Sequence, residues 1–327
     1  MSEKKIPTNT FGAPVINGPA PSLRNIWINL LLYPTHSLPT ALAPVLVGVG
    51  LAIHDGLFAP LPALVGFFGS WVIHVSGVFA DNHELLRKHP GLQEHPELDG
   101  AVAGGTLRLS TLRATIGVCL LLALATAPYL YSIGGAPVLW FGAVGIAVSI
   151  SYNCGPWAYV RRDLADPVFF LMFGLVGVLG TYYIQAADVS GVQEPWALLK
   201  SLPLSAYLVG LPAGALVTAV MLIDDVRDHK FDRKKGWQTG AVRFGGGFNL
   251  AEIMALVAFA YGMLPVFWAG LEFNAWVLLP LVSAPFAWRT IQHIRTAPSR
   301  KELIPMTPRM ALLAFTHSVL LAIGLSL

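Results

Sequence analysis

The chain has 327 residues, of which 55% are hydrophobic and only 12% are charged, with a formal net charge of +3 at pH 7. Soluble globular proteins carry about 25% charged residues, so this composition cannot cover a water-exposed surface. The two cysteines exclude a disulfide scaffold, and the small net charge argues against nucleic-acid binding. We therefore predict an all-α, polytopic membrane protein.

Apolar segments long enough to cross a bilayer follow one another along the chain. The polar residues 1–22 predict a disordered arm, and residues 23–327 predict one membrane domain. A spanning helix needs roughly 20 apolar residues. Nine segments meet this description, and they predict about nine transmembrane helices in a bundle around a central cavity: 26–53, 57–80, 112–132, 136–153, 166–186, 203–224, 250–270, 274–291 and 309–326.

The basic residues indicate the orientation of these spans, because Lys and Arg remain on the cytoplasmic side of a membrane. With nine spans, Lys200 is the one basic residue of 21 that falls on the side opposite to the N-terminus. This asymmetry predicts a multi-pass membrane protein with its N-terminus and its long polar loops in the cytoplasm. Any chemistry must then occur inside the bundle or at its cytoplasmic end.

An acidic cluster follows the second predicted span. Asp81 and Glu84 are three residues apart, so they could share one face of a helix, and Asn82 lies between them. Asp99 lies beside the Gly-rich stretch 100–105, whose backbone can approach a ligand closely. We predict Asp81 and Glu84 as metal ligands and Asn82 and Asp99 as substrate contacts.

Polar side chains in and before the fifth predicted span are further candidates. Tyr182 and Tyr183 lie within the span, where aromatic rings could stabilise a cation, and we predict them as catalytic residues. Gln185 could hydrogen-bond a substrate, and Arg161, in the preceding loop, could contact a phosphate. The alternative interpretation of these residues is helix packing or anchoring at the membrane surface.

The most informative segment follows the sixth predicted span. Asp224, Asp228 and Asp232 are spaced by four residues, so a helix keeps all three on one face. Three like charges in a row destabilise a helix unless a cation offsets them, and carboxylate oxygens suit Mg²⁺. We predict these aspartates as catalytic metal ligands, with Lys234 and Lys235 as substrate-binding residues. The alternative interpretation is a solvated loop in which Arg227, Lys230 and Arg233 pair with the aspartates.

Two facing acidic clusters at an apolar cavity are typical of one class of reaction. Metal ions can clamp a diphosphate and neutralise it as a leaving group, so that an allylic carbon ionises. The apolar bundle would hold the hydrocarbon tail, and a nucleophile placed beside the allylic carbon would capture it.

The chain resembles the UbiA superfamily of intramembrane prenyltransferases over nearly its whole length. The superfamily pattern after the sixth helix, three acidic or amide residues four apart and then a Gly-Lys-Arg-Thr-type loop, corresponds to Asp224, Asp228, Asp232 and 236–239. Within the superfamily the chain is most similar to the 1,4-dihydroxy-2-naphthoate polyprenyltransferases of menaquinone synthesis. Two further stretches support that branch: 38–48 and 173–185.

The resemblance implies a Mg²⁺ cofactor, and a prenyl diphosphate and an aromatic acceptor as substrates. It also implies a lipid bilayer, that of a bacterial inner membrane, as the environment, with no obligate protein partner. Some positions depart from the superfamily pattern. The first acidic motif stands here as Ala80 and Glu84 with Asp81 between them, and the Lys-Arg of the loop is Trp237-Gln238. Besides transfer to a naphthoate-like acceptor, two alternative functions therefore stay open. One is a membrane terpene cyclase that needs no acceptor, and the other is a transporter.

Overall fold

A computed structural model describes residues 37–90, 96–297 and 299–327. These residues form helices and connecting loops with no strand among them, which confirms the prediction of an all-α fold for this part of the chain. The predicted arm 1–22 and the beginning of the first predicted span lie outside the described residues.

The longer helices are labelled α1 to α10 in chain order. They are α1 (Ser37–His54), α2 (Pro60–Lys88), α3 (Pro96–Ala103), α4 (Leu109–Gly134), α5 (Ala136–Ser151), α6 (Ala165–Ser190), α7 (Leu211–Lys235), α8 (Gly246–Gly270), α9 (Ala284–Thr296) and α10 (Met306–Ser326). Shorter helical segments lie between them: Tyr159–Arg162, Pro195–Ser201, Leu204–Leu208, Gly240–Arg243, Ala275–Ser283 and Arg300–Leu303.

Seven stretches of the described residues are long and apolar enough to cross a membrane, and the predicted count of about nine is not confirmed. The predicted fourth span is a helix of only 16 residues, α5. The predicted eighth span is divided into the 3₁₀ segment Ala275–Ser283 and α9. Pro280 and Pro285 explain this division, because each lacks a backbone donor and disfavours a continuous α-helix.

Two helices continue past the apolar segments that predicted them. α2 extends to Lys88 and α7 extends to Lys235, so the residues of both acidic clusters that follow directly on the spans are helical. α7 ends at Gly236, whose φ of 76° is the left-handed conformation common after a helix. The acidic side chains therefore occupy fixed positions on rigid elements.

α7 lies at the centre of the bundle, and every residue from 212 to 223 is buried. α6 approaches it closely at a glycine pair, where a Cβ on Gly174 would lie 3.1 Å from the Cα of Gly214. At this contact α6 contains a π-helical segment, Met172–Val176, a feature that is frequent at functional sites. α10 packs against α1 and α7, and α2 packs against α4 and α5.

Candidate active site

A cavity of about 580 Å³ lies between α1, α2, α4, α5, α6 and α7. Along α2 its lining extends from Ala63 to Leu85, which is about 33 Å at the α-helical rise per residue. This length matches the hydrocarbon thickness of a bilayer, about 30 Å. The cavity is therefore long enough to extend through most of the thickness of a membrane.

Both acidic clusters contribute to one end of this cavity, which we call the mouth. Its polar lining comes from α2, from α7 and from the loop after α7: Asp81, Asn82, Asp224, Asp225, Arg227, Asp228, Asp232 and Trp237. The other end is apolar and is lined by residues such as Ala63, Leu130 and Ile184. The cavity thus combines a charged mouth with a long apolar interior.

Asp228 is held between two arginines at the mouth. Its side chain is 2% exposed, and its Oδ2 accepts a hydrogen bond from Nε of Arg227 at 2.7 Å. Its Oδ1 accepts a second hydrogen bond, also at 2.7 Å, from Nε of Arg300 in the segment that precedes α10. Charge-assisted hydrogen bonds of this kind are about twice as strong as neutral ones, so both carboxylate oxygens have fixed positions.

The two neighbouring aspartates are also paired. Asp224 contacts Arg227 and accepts a hydrogen bond of 2.5 Å from Oγ1 of Thr307 in α10. Asp232 is 2.9 Å from Nζ of Lys235, an ammonium that lies 3.8 Å from the centre of the Trp237 ring. The face of α7 therefore presents three carboxylates to the mouth, each beside a cation.

Asp81 is the one carboxylate that α2 adds to the cavity lining. Its Oδ1 accepts a hydrogen bond of 2.8 Å from Nδ2 of Asn153, and Oδ1 of the same Asn153 side chain accepts one of 2.9 Å from Nη2 of Arg161. The nearby Tyr159 also lines the cavity, and burial together with the negative charge of Asp81 raises the pKa of its phenol. The Tyr159 hydroxyl therefore remains protonated and can donate a hydrogen bond.

Positive charge collects around the mouth as well. The pKa of His89 is lowered, first by burial and then by the charges of Lys235, Arg161 and Lys88. Cations that lie next to carboxylates suit a ligand that combines phosphate oxygens with a metal ion.

Glu84 requires a correction to the prediction for the first cluster. Its carboxylate is paired with Arg87 at 2.9 Å and with Lys88 on its own helix, and it does not line the cavity. The cavity-facing residues of α2 in this region are Gly77, Val78, Asp81, Asn82 and Leu85. Glu84 lies on the neighbouring face, so the structure does not support it as a metal ligand beside Asp81.

Tyr182, Tyr183 and Gln185 also require a correction. The Tyr182 hydroxyl donates to Asp55 at 2.5 Å, in the loop before α2 and therefore at the opposite end of that helix from the mouth. The Tyr183 hydroxyl donates to the carbonyl of Gly134 at 2.6 Å, and Gln185 bonds only to backbone groups in the described part of the chain. None of the three lines the cavity, and their hydrogen bonds support a packing role.

The other predicted substrate contacts divide into two groups. Asn82 lines the mouth, and Lys235 is buried beside Asp232. Lys234 is exposed, and neither it nor Asp99 nor Arg161 is part of the cavity lining. Arg161 hydrogen-bonds Asn153, which donates to Asp81, and Arg161 also lies 3.9 Å from Glu84.

Three side chains at the mouth were not predicted as part of the site. Arg227 lies inside the aspartate motif itself, and its position between Asp224 and Asp228 was a signal that could have found it. Arg300 and Thr307 come from a segment more than 70 residues later. No local pattern identifies them, because only the packing of α10 against α7 brings them to the aspartates.

The residues of the mouth fit a metal ion that arrives together with a phosphate ligand. Within the described ranges no three His, Cys, Asp or Glu side chains converge as a preformed ion site. Mg²⁺ typically takes one or two protein carboxylates and completes its coordination with substrate phosphates and water. The hard oxygen donors Asp81, Asp224, Asp228 and Asp232 satisfy that requirement.

Two solved structures share this fold. The first comes from structural and mechanistic work on digeranylgeranylglyceryl phosphate synthase in membranes. It has a TM-score of 0.54 and 12% sequence identity, and the match covers 90% of this chain and 95% of the other chain. The second is a UbiA homologue from Archaeoglobus fulgidus bound to DMAPP and Mg²⁺, with a TM-score of 0.51 and 15% identity, covering 88% and 98%. At these identities the likeness concerns the fold alone.

Sequence relatives extend over most of the chain. The 1,4-dihydroxy-2-naphthoate octaprenyltransferase of Escherichia coli is 25% identical, covering 89% of this chain and 92% of the relative. The enzyme of the same name from Mycobacterium tuberculosis is 28% identical, covering 83% and 87%. The family model described as UbiA prenyltransferase family matches residues 41–318. The chain therefore belongs to the UbiA prenyltransferase family and is a prenyltransferase.

Proposed function

We propose that this protein catalyses the Mg²⁺-dependent transfer of an isoprenyl group from a prenyl diphosphate to a naphthoate-like aromatic acceptor. The observation that carries the proposal is the single cavity whose charged mouth receives aspartates from both α2 and α7 and whose interior is apolar. The names of the sequence relatives support the acceptor class. The Archaeoglobus fulgidus homologue, bound to DMAPP and Mg²⁺, supports the donor and the ion.

The aspartates at the mouth would hold the ion in this proposal. Asp224, Asp228 and Asp232 supply oxygens from α7, and Asp81 supplies them from α2. When bound, Mg²⁺ would neutralise the charge of the diphosphate leaving group. Arg227, which lines the cavity, would add a fixed positive charge next to the departing phosphate oxygens.

Aromatic rings lie directly inside the mouth, where the allylic carbon would ionise. The rings of Tyr152 and Phe169 are 5.8 Å apart and those of Phe169 and Phe173 are 5.6 Å apart, and all three residues line the cavity. Ring faces attract a cation electrostatically. These residues take the role that the sequence analysis gave to Tyr182 and Tyr183.

The bonds that change follow from this arrangement. The bond between the allylic carbon and the diphosphate oxygen breaks, and its electron pair leaves with the diphosphate. A ring carbon of the acceptor then forms the new carbon–carbon bond, and the group which that carbon carried leaves, either as a proton or, from a carboxylate, as carbon dioxide, so that the ring becomes aromatic again. The apolar lining excludes water, so that the acceptor rather than water captures the cation.

Orientation in the membrane is part of the proposal. The basic residues near the mouth, among them Arg87, Lys88, Arg161 and Arg300, support a cytoplasmic location for it. Prenyl diphosphates carry a strongly charged head group that does not cross a bilayer. A mouth on the cytoplasmic side of a bacterial inner membrane would receive that head group from the aqueous phase.

The proposal is tested by a panel of prenyl diphosphates combined with a dihydroxynaphthoate, a hydroxybenzoate or no acceptor, with products read by mass spectrometry. We expect a prenylated naphthoate that forms only when Mg²⁺ is present. A hydrocarbon product in the absence of any acceptor would instead identify a terpene cyclase. No product with any donor would contradict the proposal.

A further inference from the structure

One glycine on the cavity wall faces open space. Gly142 of α5 lines the cavity, and a Cβ added to it would meet no atom within 4 Å. Other lining glycines are contact points between helices: a Cβ on Gly69 would lie 2.8 Å from Oγ1 of Thr126, and one on Gly145 would lie 3.7 Å from Ile73. Gly142 therefore leaves room inside the cavity rather than room for a neighbouring helix.

The depth of Gly142 places it away from the reacting atoms. Tyr152, which follows α5 directly, lies just inside the mouth, and Gly142 is about 15 Å from it along the helix at 1.5 Å per residue. The lining residues that flank it on α5 are apolar, with Leu139 and Phe141 before Gly142 and Ala143 and Ile146 after it. The space at Gly142 can thus contact a hydrocarbon chain but not a diphosphate at the mouth.

We propose that the open space at Gly142 receives the distal isoprene units of a long prenyl tail, so that residue 142 controls the tail length that the enzyme accepts. The inference rests on the proposed function, because it assumes that a diphosphate is held by the aspartates of the mouth. A leucine side chain at this position would occupy the space that a long tail needs. A short tail ends before it reaches Gly142 and is not affected.

The experiment compares two tail lengths in variants of the full-length protein in lipid nanodiscs. Gly142→Leu fills the cavity, and Gly142→Ala adds a single methyl group. The matched control is Gly117→Leu, at a helical glycine of α4 that is exposed, lies outside the lining and also has no atom within 4 Å of a built Cβ. Transfer is measured with geranyl diphosphate and with octaprenyl diphosphate.

We expect Gly142→Leu to lower kcat/KM for octaprenyl diphosphate at least about tenfold, the size of effect that overpacking produces, and to leave geranyl diphosphate within about twofold. Gly142→Ala should give a smaller change in the same direction, and Gly117→Leu should change neither substrate. An equal loss with both tails, or no loss with either, would overturn the inference. The same result with Gly117→Leu as with Gly142→Leu would also overturn it.

A binding measurement separates this inference from the proposed function. Competition with unreactive thiolodiphosphates of the two tail lengths reports affinity without requiring transfer. If the wild-type protein binds both analogues and Gly142→Leu loses only the long one, the inference is supported even if no acceptor is prenylated. If transfer to the acceptor occurs and the preference for tail length is unchanged in Gly142→Leu, the inference fails and the proposed function stands.

Discussion

The substitution Asp228→Asn removes one negative charge from the mouth while it preserves the size of the side chain. Asp228 is 2% exposed, and both of its oxygens accept hydrogen bonds from arginines. The asparagine amide keeps one acceptor oxygen, so it can bind either Arg227 or Arg300 but not both. The change therefore affects the electrostatics of the mouth more than its packing.

The expected loss of stability in Asp228→Asn follows from these contacts. A hydrogen bond to a charged group contributes about 1.5–3 kcal/mol to stability. The Arg300 side chain is 35% exposed and can be hydrated when its partner is lost, while Arg227 keeps its contact with Asp224. We expect the free energy of unfolding to fall by about 2 kcal/mol and turnover to fall at least about 100-fold, as when one stabilising group is removed from an active site.

The assay is prenyl transfer in nanodiscs together with thermal unfolding in detergent, and the control is Glu84→Gln. Glu84 is also held by cations, namely Arg87 and Lys88 on its own helix and Arg161 at 3.9 Å, but it lies outside the cavity lining. Glu84→Gln should lower the unfolding temperature and keep turnover within about twofold of the wild type, since a lost ion pair acts on stability rather than chemistry. Equal losses of turnover in both variants, or more than half of the wild-type turnover in Asp228→Asn, would refute the reasoning.

Further predictions concern the second helix, the tyrosines, the metal and the topology. Asp81→Asn should lower turnover roughly tenfold or more by removing the only carboxylate that α2 adds to the described lining. Tyr182→Phe should cost about 1 kcal/mol of stability, from its bond to Asp55, and leave turnover nearly unchanged in the transfer assay. Chelation with EDTA should abolish transfer, and added Mg²⁺ should restore it. In inverted membrane vesicles an impermeant maleimide should label Arg162→Cys and not Lys200→Cys.

Each of these predictions has an outcome that counts against the account. Full activity in Asp81→Asn would show that transfer does not need the carboxylate that α2 contributes to the mouth. A Tyr182→Phe variant with normal stability and no turnover would indicate that Tyr182 has a catalytic role. Transfer that persists after chelation would remove the metal from the proposal, and labelling of Lys200→Cys in inverted vesicles would reverse the predicted orientation.

The aspartate motif of α7 was predictable because helical geometry alone determines it. A spacing of four residues keeps Asp224, Asp228 and Asp232 on one face wherever the helix is placed. The structure confirms that they lie on one helix and that all three line one cavity. The motif directly follows an apolar segment, so it also had to lie near the end of a membrane-spanning helix.

The site predictions that the cavity lining does not support depended on which face of a helix looks inward. Asp81 and Glu84 are close in sequence, but α2 is rotated so that Asp81 faces the cavity and Glu84 faces the basic end of its own helix. Tyr182 and Tyr183 lie in the stretch 173–185 that supports the family resemblance, yet their hydroxyls donate to groups that do not line the cavity. Rotation of a helix depends on tertiary packing, which a uniformly apolar span does not encode in its hydrophobic pattern.

The central claim is that carboxylates of α2 and α7 together hold the metal that binds the diphosphate. The most direct measurement is the anomalous diffraction of Mn²⁺, used in place of Mg²⁺, in crystals grown with an unreactive prenyl thiolodiphosphate. The account predicts a peak at the mouth whose protein ligands include Asp81 and at least one of Asp224, Asp228 and Asp232. A peak coordinated from one helix alone, or one outside the mouth, would contradict it.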